Sequence, residues 1–212
     1  MKQSTIQLIH DMIATTPSLL PKLAEIEAAA QMLCDCFAGG NSVYVCGNGG
    51  SASDSEHIVG EFVKSFRKPR PLPAAFREKY LAAFPGEEEF LDKTQIGFPA
   101  HSLVAQCGII TAVLNDLGGE NVYSQQTYAY VKENDIFIGI STSGNSKAVF
   151  NAAKIAKIKG AKILTLTGCG GGKISTVADI ALKSNECETY LIQQEHIAMY
   201  HALCAAVEEE LV

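Results

Sequence analysis

Residues 135–167, DIFIGISTSGNSKAVFNAAKIAKIKGAKILTLT, decide the fold class of this chain. The stretch holds two short apolar runs, DIFIGI (135–140) and KILTLT (162–167), of the length and composition typical of buried strands. A serine-rich turn, STSGNS (141–146), and a segment with helical periodicity (146–159) join them. A strand–helix–strand unit predicts parallel neighbouring strands, which are buried under helices on both faces. The fold class is therefore α/β.

The same alternation of strands and helices extends on both sides of this unit. Upstream, SVYVC (42–46) predicts a strand that leads through a glycine-rich turn into an amphipathic helix. The other predicted elements are helices over 4–37 (broken at Pro17 and Pro21), 101–115, 122–131 and 188–211, and a strand near VADIAL (177–182). We therefore predict a three-layer α-β-α sandwich with a central parallel sheet. It forms one domain, residues 1–212, with N-terminal helices in residues 1–40.

Residues 67–100 differ in composition from the rest of the chain. They hold five of the seven prolines and the acidic run Glu87–Glu89. Prolines disfavour both helix interiors and central strands, so we predict an extended insertion here, with one helix around 74–83.

Composition excludes several classes of protein. The formal net charge is −6 and the basic residues are scattered, which argues against direct binding of nucleic acid. No apolar run approaches the roughly 20 residues that span a bilayer, and the N-terminus lacks the apolar core of a signal peptide. The seven cysteines are odd in number and include no Cys-x-x-Cys pair, which favours reduced thiols. We expect a cytoplasmic protein that does not contact membranes.

Two polar turns follow predicted strands, where ligands of parallel sheets bind. STSGNS (141–146) supplies four hydroxyl groups at the start of a helix, whose backbone N–H groups and dipole favour a phosphate. An ordinary helix N-cap is the plain alternative, because serine and asparagine are preferred there without any ligand. GNGGS (47–51) matches neither the Walker motif nor the dinucleotide fingerprint. Together the turns suggest a site for a phosphorylated sugar, with Asn48 binding hydroxyl groups.

Histidine, acidic and amide residues cluster on two predicted helices. His57 and Glu61 are four residues apart and share one helix face, either as a surface ion pair or as two metal ligands. Gln193 and His201 lie about 12 Å apart along one helix axis, because a helix rises about 1.5 Å per residue. One helix is poorly suited to offer both residues to a single ion. If both bind one site, we expect a second copy of the chain to supply one of them.

Five blocks in order give the sequence a specific resemblance to a known family. The blocks are CGNGGSASDSEHIVGE (46–61), ND (115–116), GISTSGNSKAVFNAA (139–153), TLTGCGGGK (165–173) and IQQEHIAMYH (192–201). They resemble the phosphoheptose isomerases of the SIS (sugar isomerase) superfamily, over most of the chain from residue 42 to 212.

The resemblance implies a fold, a reaction and a set of site residues. It implies the SIS fold and a homotetramer with active sites between subunits. Glu61 and His201 are then the proton-transfer pair. Zinc, one ion per subunit, is then bound by His57, Glu61, Gln193 and His201. The substrate contacts implied are Asn48, Gly49, Gly50, Ser51, Glu61, Asn115, Asp116, Ser141, Thr142, Ser143, Ser146 and Gln193.

The implied reaction converts sedoheptulose 7-phosphate to D-glycero-D-manno-heptose 7-phosphate through an enediol. Two alternatives stay open: a non-catalytic SIS regulator that binds a replication initiator protein, and an isomerase of another sugar phosphate. The presence of both Glu61 and His201 favours an enzyme, because the regulators lack this pair. The sequence departs from the family at three places, which bear on the identity of the substrate sugar more than on the class of reaction. These are a long 67–100 segment, Ser65 in place of an arginine, and Tyr190 in place of an acidic residue.

Overall fold

A computed structural model describes residues 1–212 and contains one parallel sheet of five strands in the order β2-β1-β3-β4-β5. Each adjacent pair of strands is parallel. The central strands carry isoleucine, leucine and valine on both faces, as expected for a sheet that is buried on both sides. The strands are β1 (Val43–Cys46), β2 (Ala100–Ser102), β3 (Ile136–Ser141), β4 (Lys162–Thr167) and β5 (Ile180–Lys183).

Nine α-helices surround the sheet or extend from it. The predicted break at the two N-terminal prolines is confirmed, because a 3₁₀ segment, Pro17–Lys22, separates the first two helices. The helices are α1 (Gln3–Ala14), α2 (Leu23–Ala38), α3 (Gly50–Val63), α4 (Ala74–Ala83), α5 (Glu88–Asp92), α6 (Cys107–Asp116), α7 (Val122–Tyr130), α8 (Lys147–Ile158) and α9 (Thr189–Leu211). None of them is both long and apolar enough to cross a bilayer.

The sheet separates two apolar cores, so the predicted three-layer sandwich is confirmed. Alternate residues of one strand point to opposite faces. Accordingly Val43 and Val45 of β1 join α1, α2, α3 and α9 in the larger core. Tyr44 and Cys46 of the same strand join α7 and α8 in the smaller one.

The prediction of a helix over residues 101–115 is wrong in its first part. Residues 100–102 form β2, which pairs in parallel with Val43–Val45 of β1. The next backbone N–H, of Leu103, still donates to the carbonyl of Val45 at 2.9 Å. Helix α6 begins only at Cys107. Tertiary pairing with a neighbouring strand thus decides the conformation of a segment with weak intrinsic preference.

The segment 67–100 is partly folded into the body of the molecule. Helix α4 coincides with the helix expected around 74–83, and none of its residues is buried. The base of the segment is different: Arg70 is fully buried and pairs with buried Glu208 at 2.8 Å. The backbone N–H of Ile96 donates to the carbonyl of Arg70 at 2.8 Å. The base of the segment is thus anchored to the domain on both sides of α4 and α5.

Candidate functional site

The three polar loops at the carboxyl ends of β1, β3 and β4 lie together at one edge of the sheet. The side-chain amide of Asn48, after β1, donates to the hydroxyl of Ser146 at 2.8 Å, at the start of α8. The hydroxyl of Tyr123 contacts the carbonyl of Gly47 at 2.7 Å and Oδ1 of Asn48 at 2.9 Å. Tyr123 was not recognised from the sequence. These bonds fix Asn48 beside the hydroxyl-rich turn.

Gly144 allows the second and third loops to touch. Its φ of +65° is a backbone conformation that residues with a Cβ rarely adopt. A Cβ at this position would also overlap the carbonyl oxygen of Gly171 in the loop after β4. The backbone N–H of Ile174 donates to the carbonyl of Gly144 at 3.0 Å. The loop after β4 therefore supports the STSGNS turn (141–146) through backbone contacts.

Gln193 also belongs to this edge. A Cβ on Gly50, the first residue of α3, would overlap the side-chain nitrogen of Gln193. The glutamine thus lies against the N-terminus of α3, next to Gly49 and Ser51. We call residues 47–51, residues 141–146 and Gln193 the loop half-site.

A second cluster lies where α3 and α9 pack against each other. Nε2 of His57 is 3.2 Å from Oε1 of Glu61 and 3.4 Å from Nε2 of His201. The other oxygen of Glu61, Oε2, is buried without a hydrogen-bond partner, with Nζ of Lys64 4.0 Å away. Burial, and then repulsion by His57, lower the pKa of His201 despite the nearby Glu61, which favours a neutral imidazole. We call His57, Glu61 and His201 the histidine half-site.

The histidine half-site has donors suited to zinc but does not form a complete metal centre. Two imidazoles and a carboxylate are zinc ligands, and ligand atoms about 2 Å from a tetrahedral ion lie about 3.3 Å apart. The distances of His57 to Glu61 and His201 match that spacing. However, no three His, Cys, Asp or Glu side chains of the chain are arranged to hold a metal by themselves. Gln193, the fourth expected ligand, lies in the loop half-site.

The two half-sites of one chain lie at opposite edges of the sheet. Helix α3 begins at Gly50, next to the loops, and Glu61 lies eleven residues further along it, about 16 Å away. Near that end of α3, the carbonyl of Phe62 accepts a hydrogen bond from Phe98, just before β2 begins. The structure therefore assembles the histidine half-site and the loop half-site separately. Within one chain it does not bring the two half-sites together.

Asn115 and Asp116 make no side-chain hydrogen bond to either half-site. They end α6, and both side chains are exposed. The side-chain amide of Asn115 donates to Asp116 at 2.7 Å.

Fold and site together define an α/β protein of the SIS class. Two family models, both described as SIS domain, match residues 10–77 and 109–208. The phosphoheptose isomerase of Aneurinibacillus thermoaerophilus is 38% identical over 88% of this chain and 81% of its own length. That of Leptospira biflexa is 34% identical over 96% of this chain and 93% of its own length. The chain belongs to the phosphoheptose isomerase family.

Solved structures agree with this assignment. The phosphoheptose isomerase of Neisseria gonorrhoeae superposes with a TM-score of 0.72 at 27% identity, over 97% of this chain and 94% of its own. The phosphoheptose isomerase of Francisella tularensis gives a TM-score of 0.71, also at 27% identity, over 98% and 94%. The SIS fold predicted from the sequence is confirmed.

Proposed function

We propose that this chain is an aldose–ketose isomerase that converts sedoheptulose 7-phosphate to D-glycero-D-manno-heptose 7-phosphate. The observation that carries the proposal is the histidine half-site, in a chain whose relatives are phosphoheptose isomerases. There a carboxylate with one free buried oxygen lies beside a histidine pair. Isomerisation needs a base and an acid at two adjacent carbons, and this pair of residue types supplies both.

Proton transfer is assigned to Glu61 and His201. Glu61 removes the proton from the carbon next to the carbonyl group, which gives an enediolate. His201 donates a proton to the oxyanion on the former carbonyl carbon. Glu61 then returns its proton to that carbon, while the other enediol hydroxyl gives its proton back to His201 and becomes the new carbonyl group, so both residues regain their starting states. Positioned acids and bases of this kind typically contribute about 10²–10⁴-fold each.

The loop half-site is assigned to the phosphate and the sugar hydroxyls. Ser141, Thr142, Ser143 and Ser146 surround the N-terminus of α8, where backbone N–H groups favour a dianion. Anchoring the phosphate there fixes the position of the reacting carbons, which lie at the other end of the sugar. Asn48 supplies an amide for the hydroxyl groups, and Asn115 and Asp116 are assigned to the substrate from the family resemblance alone.

The active site is assigned to a subunit boundary in a homotetramer. The roughly 16 Å between Gly50 and Glu61 supports this assignment, because one chain presents the two half-sites at opposite edges. In a homotetramer, a neighbouring copy of the chain supplies the second half-site of each active site. A cytoplasmic location is also proposed, because four of the cysteines are buried free thiols: Cys34, Cys36, Cys46 and Cys204.

Zinc is the proposed metal, one ion per subunit, with His57, Glu61 and His201 as ligands and Gln193 contributed across the boundary. A zinc ion at this position would polarise the carbonyl group of the substrate. The distances from Nε2 of His57 to Oε1 of Glu61 and to Nε2 of His201 support this set, which leaves Oε2 of Glu61 for proton transfer.

The test is turnover of a panel of ketose phosphates, followed by NMR, before and after dialysis against a chelator. We expect sedoheptulose 7-phosphate to be converted, and chelation to reduce the rate, with zinc restoring it. Turnover of a six-carbon sugar phosphate alone would replace the substrate assignment. No turnover of any sugar, together with binding of one, would instead support a non-catalytic regulator.

A further inference from the structure

A chain of buried polar atoms lies behind His57, on the side away from Glu61. The hydroxyl of Tyr200 is 3.0 Å from Nδ1 of His57 and 3.3 Å from Oδ1 of Asp54. Tyr200 is 1% exposed and Asp54 is 8% exposed. Asp54 and His57 are three residues apart on α3, so they share a face, and Tyr200 reaches both from α9.

Tyr200 supplies the one hydrogen bond to the buried carboxyl group of Asp54, so we take the hydroxyl proton of Tyr200 to point to Asp54. A tyrosine hydroxyl carries one proton, and a carboxylate oxygen only accepts. When Tyr200 donates to Asp54, its oxygen must accept the second hydrogen bond, from Nδ1–H of His57. A neutral imidazole carries only one ring proton, so Nε2 of His57 then bears an electron pair.

We propose that Asp54 and Tyr200 are positioning residues that hold His57 in its Nδ1-protonated tautomer, with the Nε2 electron pair facing Glu61 and His201. Neither residue needs to touch the substrate. The kinetic consequence rests on the proposed isomerase function, whereas the tautomer is a property of the protein alone.

The tautomer matters because Nε2 is the atom nearest to both partners in the histidine half-site. An imidazole that presents an electron pair at Nε2 can accept a hydrogen bond from His201 or bind a cation. In the opposite tautomer, Nε2–H would donate to Glu61 and occupy the oxygen that lies nearest to the ring. Groups behind a ligating or catalytic histidine typically change affinity or activity by about 10–100-fold when removed.

The decisive experiment is ¹⁵N NMR of the histidine rings in the full chain after dialysis against a chelator, at a pH above the ordinary pKa of histidine, so that no bound metal imposes the tautomer. Long-range ¹H–¹⁵N correlations distinguish the two tautomers, and the ring of His57 is identified by its loss in His57→Gln. We expect Nδ1–H in the parent protein. In Tyr200→Phe, which keeps the aromatic ring and removes only the hydroxyl, we expect this tautomer to be lost.

Tyr44→Phe is the matched control. It also removes a buried hydroxyl, which bonds the carbonyl of Tyr130 at 3.3 Å, but it lies in the core on the other face of the sheet. We expect Tyr200→Phe to lower kcat by about 10–100-fold while KM changes little, and Tyr44→Phe to leave both unchanged.

An Nε2–H tautomer in the parent protein, or the same tautomer in Tyr200→Phe as in the parent, would overturn the proposal. An unchanged kcat in Tyr200→Phe would also overturn it. If the tautomer behaves as expected but the parent turns over no sugar phosphate, the positioning stands and the proposed reaction fails instead.

Discussion

At the scale of single residues, Glu61 is set apart by the unequal surroundings of its two oxygens. Oε1 contacts His57, whereas Oε2 is buried and free of hydrogen bonds. Leaving a buried carboxylate oxygen unpaired is costly, so the free oxygen indicates a role that a partner would block. We assign the removal of the substrate proton to this group.

Glu61→Gln should lower kcat by about 10²–10⁴-fold, because the amide keeps the shape of the side chain but cannot accept the proton. Substrate affinity should change little, since the loop half-site is untouched. The measurement is steady-state turnover of sedoheptulose 7-phosphate, with binding followed by calorimetry. Glu56→Gln is the control, an exposed glutamate of the same helix. Activity of the Glu61 variant close to that of the parent would remove the assigned base.

Gly144→Ala should weaken phosphate binding and stability together. The left-handed conformation costs a residue with a Cβ about 1–2 kcal/mol, and the methyl group would overlap Gly171. We expect KM for the sugar phosphate to rise and the thermal midpoint to fall. Gly86→Ala is the control: its φ is also positive, at +89°, but the space around it is open. Equal effects of the two substitutions would contradict the loop contact described here.

The family resemblance was enough to name the members of the histidine half-site, whereas spacing alone left a surface ion pair of His57 and Glu61 as the alternative. Neither was enough to reveal Tyr200 or Tyr123. An aromatic residue on an apolar helix most often fills the core, and only the packing of α9 on α3 brings the hydroxyl of Tyr200 to His57. Gln193 was named, but its position beside Gly50 depends on the same packing.

At the scale of elements, the end of α9 anchors the chain that follows α3. Glu208 accepts backbone hydrogen bonds from Phe66, Arg67 and Lys68, and pairs with Arg70. Burial alone would raise the pKa of Glu208, but these hydrogen bonds and the Arg70 guanidinium outweigh burial and lower it. The anchor holds the end of α3, and with it Glu61, against α9.

The lowered pKa of Glu208 predicts a loss of stability in acid. A carboxyl group with a lower pKa in the folded state stabilises the fold fully above its ordinary value of 4.5. That contribution is lost as the pH falls through the folded-state pKa. The measurement is the free energy of unfolding in urea as a function of pH. Glu208→Gln should be about 3–5 kcal/mol less stable at neutral pH, because Arg70 is left buried without its partner. It should also lose less stability in acid than the parent protein, and an equal loss would contradict this account.

The strand–helix–strand unit of β3, α8 and β4 followed from periodicity alone, because each element is long and strongly patterned. Strand β2 did not, since its three residues, Ala100–Ser102, include no β-branched or aromatic side chain that favours a strand. The base of the 67–100 segment was missed for a similar reason. Nothing local indicates that Arg70 finds Glu208, 138 residues away in the chain, in the interior.

At the scale of the whole molecule, we propose that a working site needs two copies of the chain. Parallel strands place the polar loops that follow β1, β3 and β4, to which we assign phosphate binding, at one edge. Helix α3 then runs back along the sheet, so Glu61 lies about 16 Å from the loop where the helix begins. A sugar phosphate held by the loops of one copy is therefore expected to react at the histidine half-site of another.

Subunit complementation tests this claim most directly. Glu61→Gln disables the histidine half-site and Gly144→Val disables the loop half-site. After each variant has been shown to have little activity alone, the two are unfolded together, refolded as a mixture and assayed with sedoheptulose 7-phosphate. If the half-sites come from different copies, random mixing gives about one intact site in four, and activity returns. If both half-sites of an active site belong to one chain, every site keeps one defect. A mixture that forms mixed oligomers and stays inactive would contradict the account.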